Sequence, residues 1–176
     1  MDDPRYPTGA FRFSGMADAT SRARCIAEIA AAPGQLRAAI SDLTPIQLDT
    51  PYREGGWSVR QVVHHLPDSH LNAYVRFKLA LTEDEPTIKP YAEARWAELS
   101  DVWTTPTDVS LTLLECLHRR WVLLLRDLQA ADFSRTFRHP EQGRSIELDE
   151  VLEMYAWHGK HHVAQITFLR SRMGWI

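Results

Sequence analysis

Apolar side chains recur at spacings of three and four along most of this chain, the period of helices that bury one face. The clearest stretch is Val109 to Leu128, where Leu111, Leu114, Leu117, Trp121, Leu124 and Leu128 fall at those intervals. A second helix is predicted from Ser58, a good N-cap, to about Leu81, with Val59, Val62, Val63, Leu66, Ala73, Phe77 and Ala80 on its apolar face. The last helix is predicted from about Leu148 to Met173, stopped by Gly174. Its stripe is Val151, Tyr155, His158, His162, Ile166 and Leu169.

Asp18 to Leu43 is Ala-rich and helical in character, but Pro33 has no N–H and is predicted to break it into a short helix and a second one over Gln35–Leu43. Between these elements, Ser41 to Gly56 and Thr82 to Pro90 read as loops, and Tyr91 to Leu99 as a short extra helix. A loop with Pro106 follows, capped by Thr107 or Asp108. Phe133 to Glu147 reads as a loop or a small hairpin, and residues 1–17 as an irregular arm. Four substantial helices with little strand signal predict an all-α fold, a helical bundle forming a single domain over residues 1–176.

Composition narrows the function. With 44% hydrophobic and 24% charged residues the chain reads as an ordinary globular protein. A net charge of −3, without a basic run, argues against nucleic acid and anionic membrane as partners. Cys25 and Cys116 form no Cys-x-x-Cys pair, which argues against a disulfide framework or a zinc finger. No apolar leader and no apolar run of spanning length is visible, so a cytoplasmic location is expected. There is no phosphate-binding loop, dinucleotide fingerprint, Gly-x-Ser-x-Gly elbow or His-Glu-x-x-His string. Trp57, Trp96, Trp121 and Trp157 read as core aromatics.

The candidate chemistry lies in the histidines. Trp157-His158-Gly159-Lys160-His161-His162 puts His158 and His162 one helical turn apart, close enough to share one metal ion. Both sit on the core stripe, where an unpartnered polar group costs about 1–3 kcal/mol, and a metal would satisfy both rings at once. His161 is turned about 100° away, so a His158–His161 pair is possible but sits on the poorer stripe. A three-ligand site needs a partner from another helix. His64, His65 and His70 are the candidates, and spacing ranks them only weakly.

The segment from Tyr52 to Leu66, which contains Glu54-Gly55-Gly56-Trp57-Ser58 and His64-His65-Leu66, closely resembles the YfiT-type branch of the DinB-like superfamily. Asp68-Ser69-His70, Arg76-Phe77-Lys78, Ile88-Lys89-Pro90-Tyr91, Tyr155-Ala156-Trp157-His158 and Arg172-Met173-Gly174-Trp175 extend the likeness from about residue 5 to the C-terminus. The resemblance implies a four-helix bundle, a homodimer, and one divalent metal ion per chain held by His65, His158 and His162. His64, His70 and His161 then become neighbours of the site. One departure is Pro67, where the family often has Ala. Within the predicted helix it should free the Val63 carbonyl and kink the chain within one turn of His65.

The resemblance implies a metal-dependent hydrolase in which the ion activates water for a small-molecule substrate. Asp68 is close enough in sequence to His65 to orient a ligand or water. Relatives in the superfamily that are thiol S-transferases imply an alternative, activation of a low-molecular-weight thiol. A non-catalytic, metal-stabilised binding module is a third reading. Three imidazoles suit zinc, nickel, iron and copper, and zinc or nickel is the expectation.

Overall fold

The computed structural model describes residues 3–15 and 18–175. The parts of the predicted arm at residues 1, 2, 16 and 17 lie outside the described residues. In chain order the elements are α1 Ala19–Ala39, α2 Pro45–Leu48, α3 Val59–Thr82, α4 Glu93–Trp96, α5 Ser100–Thr104, α6 Thr107–Asp127, α7 Ala130–Phe133, β1 Thr136–His139, β2 Arg144–Glu147 and α8 Leu148–Met173.

The four long helices, α1, α3, α6 and α8, form the bundle. α1 lies against α8 and α6, and α3 lies against α6 and α8. Going round the bundle the order is therefore α1, α8, α3, α6. Successive long helices α1 and α3 stand on a diagonal, as do α6 and α8. Short loops join neighbours in a bundle, so these two diagonal steps need the long connections at residues 40–58 and 128–147.

Local signals explain the helix ends. Ser58 and Gln61 form a reciprocal capping box at the start of α3. Gly174 ends α8 with φ +66°, a conformation that suits a residue without Cβ. α6 begins at Thr107 with Pro106 at its cap. The small hairpin pairs Phe137 with Ile146, both buried in the core, and Gly143 turns it at φ +65°. The fold is thus mostly helical, with this hairpin as its one sheet among the described residues.

α1 departs from expectation. It runs unbroken through Pro33. Proline removes the donor that the Ile29 carbonyl would otherwise meet one turn on. Here His118 of α6 reaches that carbonyl with Nδ1 at 2.6 Å, so the helix continues without an orphaned acceptor. α3 likewise continues past Pro67 to Thr82. Trp121 is fully buried, as expected, but Trp96 is 39% exposed. Among the described residues no helix is long and apolar enough to cross a membrane.

The core is divided. One apolar cluster gathers Ile29, Phe77, Trp121, Phe137 and Tyr155, and a second gathers Leu36, Val63, Leu66, Leu114 and Ile166. On three helices the histidines fall between the two. His70 lies between Leu66 and Ala73 on α3, His118 between Leu114 and Trp121 on α6, and His158 and His162 between Ala156 and Ile166 on α8.

Candidate metal centre

α3 and α8 carry the converging histidines. His65 is buried at 7% exposure, His162 likewise at 7%, and His158 is half-buried. His65 Nε2 is 3.4 Å from His158 Nε2, and His162 Nε2 is 3.2 Å from the same atom. One nitrogen from each ring lies within 4.8 Å of the other two. Two imidazoles on a tetrahedral zinc, each with Zn–N of about 2.0–2.1 Å, stand roughly 3.3 Å apart at nitrogen. The donor set and its spacing therefore fit one small divalent cation. Pro67 does not aim His65 away from this point.

An imidazole can bind a metal only when neutral, and the surroundings favour the neutral form here. Burial pushes His65 down to about 4. Burial, followed by the neighbouring imidazoles, holds His158 and His162 well below the usual histidine range. Trp57, read from sequence as a core aromatic, instead packs on the converging histidines. Its ring centroid is 4.7 Å from that of His65 and 6.5 Å from that of His162, at only 18° to the latter.

The other histidines have separate roles. His70 Nε2 lies 3.1 Å from His158 Nδ1, and its own Nδ1 lies 2.8 Å from His118 Nε2. His161 stacks on Trp157 at 4.4 Å, and its Nε2 takes a 2.9 Å contact from Gln165. His64 turns away to Ser110 at 2.7 Å. Gln165 Oε1 meets His162 Nδ1 at 2.9 Å. Asp68 faces the acidic Asp101, and burial with that neighbour pushes its carboxyl up to about 6. Among the described residues no hydrogen bond joins the Asp68 carboxylate to the three histidines.

Sequence reading passed over His118, Gln165 and Glu93. His118 lies four residues after Leu114 and three before Trp121, on the buried stripe of α6, so the same periodicity would have found it. Gln165 lies three residues after His162, and nothing local marks it.

A cavity of about 410 Å³ opens beside His162, walled by Tyr6, Tyr52, Arg53, Trp57, Glu93 and His161. That volume is in the range of small-molecule sites. A larger cleft of about 650 Å³ lies between α1 and α6 and carries Arg37, Arg119 and Arg126. It reaches His118 but none of the three converging histidines. The convergence of ligands, rather than volume, therefore selects the smaller cavity.

A sequence profile of the DinB superfamily matches residues 28–166. Relatives from Bacillus mycoides strain KBAB4 and from Bacillus anthracis, each with a provisional designation as a metal-dependent hydrolase, are 54% identical over 175 residues, covering 99% of this chain and all of theirs. The solved structure of YfiT from Bacillus subtilis, described as a probable metal-dependent hydrolase with an unusual four-helix bundle topology, superposes with a TM-score of 0.96. It is 47% identical, over 98% of this chain and 99% of that one.

Proposed function

Since the chain belongs to the DinB superfamily, as a YfiT-like member, we propose that it is a metal-dependent hydrolase in which His65, His158 and His162 hold one divalent ion. One observation carries the reading. Three neutral imidazole nitrogens converge beside a cavity, and the described residues bring no fourth histidine, cysteine or carboxylate into that group. Structural zinc sites close with four protein ligands, whereas catalytic ones use three and keep a position open.

Held by three neutral imidazoles, a divalent ion keeps its full charge and supplies Lewis acidity and the acidification of water toward neutral pH. The chain itself supplies binding, orientation and exclusion of solvent. Trp57 packs beside two of these imidazoles and gives the cavity an apolar wall. Arg53, Glu93 and Arg5, the last paired to Asp3, line the cavity and offer two cations and one carboxylate to a small polar substrate. Glu93 is the carboxylate that lines this cavity, whereas Asp68 does not line it.

Elemental analysis of protein purified without a His tag, together with an ester-hydrolysis assay, tests the proposal. About one zinc or nickel per chain is expected, and ester turnover should vanish with chelator and return with either ion. His158→Ala should keep its helical circular dichroism and lose the metal. Full metal content in that variant would show that the ligand set is wrong. Conjugation of a thiol to an electrophile without any ester turnover would replace hydrolysis by thiol transfer at the same site.

A further inference from the structure

Carbonyl oxygens only accept hydrogen bonds, and that fact fixes protons deep in this protein. The Ile29 carbonyl, 2.6 Å from His118 Nδ1, requires a proton on that nitrogen. Burial holds His118 down to about 4, so the ring is neutral and its Nε2 is an acceptor. His70 must then donate to it from Nδ1 across 2.8 Å. His70 is fully buried, and its two hydrogen-bond partners are imidazoles with no carboxylate to balance a charge, which leaves its Nε2 to accept from His158 Nδ1 across 3.1 Å. The Arg5 carbonyl plays the same part on the other side. It accepts from Gln165 Nε2 at 3.1 Å, which orients the amide so that Oε1 accepts from His162 Nδ1 at 2.9 Å.

We infer that these two chains, each ending on a backbone carbonyl, hold His158 and His162 as Nδ1–H tautomers and so aim both Nε2 lone pairs at one point. The inference rests on the reading that this point takes a metal. His70, His118 and Gln165 are positioning residues, and none of them touches the ion. A relay that ends on a carbonyl has nowhere to pass a proton, so it orients rather than conducts.

Pro33 belongs to the same device. It withholds the N–H that the Ile29 carbonyl would meet within α1, which leaves that oxygen to His118. The far end then dictates the near end. Two Nε2 lone pairs face each other at 3.2 Å, an arrangement that repels unless a cation lies between them. The chains hold the rings in that state before any ion arrives, which favours metal capture.

Long-range proton–nitrogen NMR of the full chain in chelator separates protonated from unprotonated ring nitrogens without any metal or substrate. The proton should be on Nδ1 in His158, His162, His70 and His118. His118→Phe should leave a mixture of tautomers at His158, and Gln165→Met a mixture at His162. Each should weaken zinc, measured by chelator competition, about 10–100-fold at unchanged stoichiometry. Gln165→Glu keeps an acceptor for His162 Nδ1 but loses the donor to the Arg5 carbonyl, so it should keep the Nδ1–H tautomer that Gln165→Met loses. If His118→Phe does not fold, the Gln165 pair decides alone. A proton on Nε2 of either ligand in the wild type, or variants with wild-type tautomers and affinity, would overturn the inference. Nδ1–H rings in a protein that takes no zinc would leave it standing and sink the metal reading instead.

Discussion

Acid should unfold the metal-free protein well before its carboxylates titrate. His65 and His118 are both pushed to about 4 by burial, from 6.5 in the unfolded chain. The unfolded state therefore binds more protons than the folded state between those two values. Stability is complete above pH 6.5 and drains away as pH falls toward 4. At 1.36 kcal/mol per pH unit, each ring accounts for about 3 kcal/mol over the window, and the two together for roughly 6. That is comparable with the whole stability of an ordinary domain, about 5–15 kcal/mol. His64, His70, His158, His161 and His162 are all lowered as well and steepen the loss. Asp68 opposes it in part, because its carboxyl is raised to about 6 and gains protons in the folded state as pH falls. Urea unfolding in chelator, followed by circular dichroism at intervals from pH 7.5 to 5, gives the slope directly. A fall of at least about 2 kcal/mol per unit below pH 6.5 is expected. A flat profile down to pH 5 would refute the claim that the rings stay neutral by burial.

Two further substitutions test the packing around the site. A Cβ added at Gly159 meets the Ala32 Cβ of α1 at 3.0 Å, and neither atom can rotate away. Gly159→Ala gains about 1 kcal/mol in helix propensity but overpacks the α1–α8 seam by about 1–3, so a net loss near 1 kcal/mol is expected by urea titration; a stabilised variant would contradict it. Arg22 holds the Asp149 carboxylate with two bonds of 2.8 and 2.6 Å at the start of α8, where that side chain is only 4% exposed. Arg22→Met leaves the charge buried and alone and should cost about 3–5 kcal/mol, most of it regained in Arg22→Met/Asp149→Leu. A single variant as stable as wild type would mean that the pair is idle.

Much of the architecture was legible because the long helices follow the helical period closely. Val59–Thr82 and Leu148–Met173 begin and end almost where caps and apolar stripes place them. The stripe on α8 also put His158 and His162 together on the inner face. Pro33 was misread for a physical reason. A proline's penalty in a helix is reckoned with the freed carbonyl unsatisfied, and the group that satisfies it, His118, sits on another helix. For Asp68, proximity in sequence to His65 says nothing about which side of α3 faces the converging histidines, and burial beside Asp101 is what the fold gives it. Short pieces such as Ser100–Thr104 lack the length for any period to emerge. The partners of Gln165 are the Arg5 carbonyl and two imidazoles, a grouping that exists only once the arm lies along α8.

The divided core gives a reason to read the histidine layer as functional rather than as a stabilising feature. His65, His70, His118, His158 and His162 occupy interior positions that Leu or Phe could fill, and each buried ring carries a desolvation cost and an acid liability. Polar layers of this kind are tolerable only when every member has a partner, because a half-satisfied network is worse than an apolar core. Here the partners of His158 and His162 run outward to two backbone carbonyls, and inward their Nε2 atoms face each other and that of His65. A layer selected for stability alone would close that last contact with a donor. Two Nε2 lone pairs aimed at one point would weaken the metal-free fold, and a cation would complete it. Zinc should therefore raise stability by RT ln(1 + [Zn]/Kd) in wild type and by far less in His158→Ala, and an equal gain in both would place the ion elsewhere.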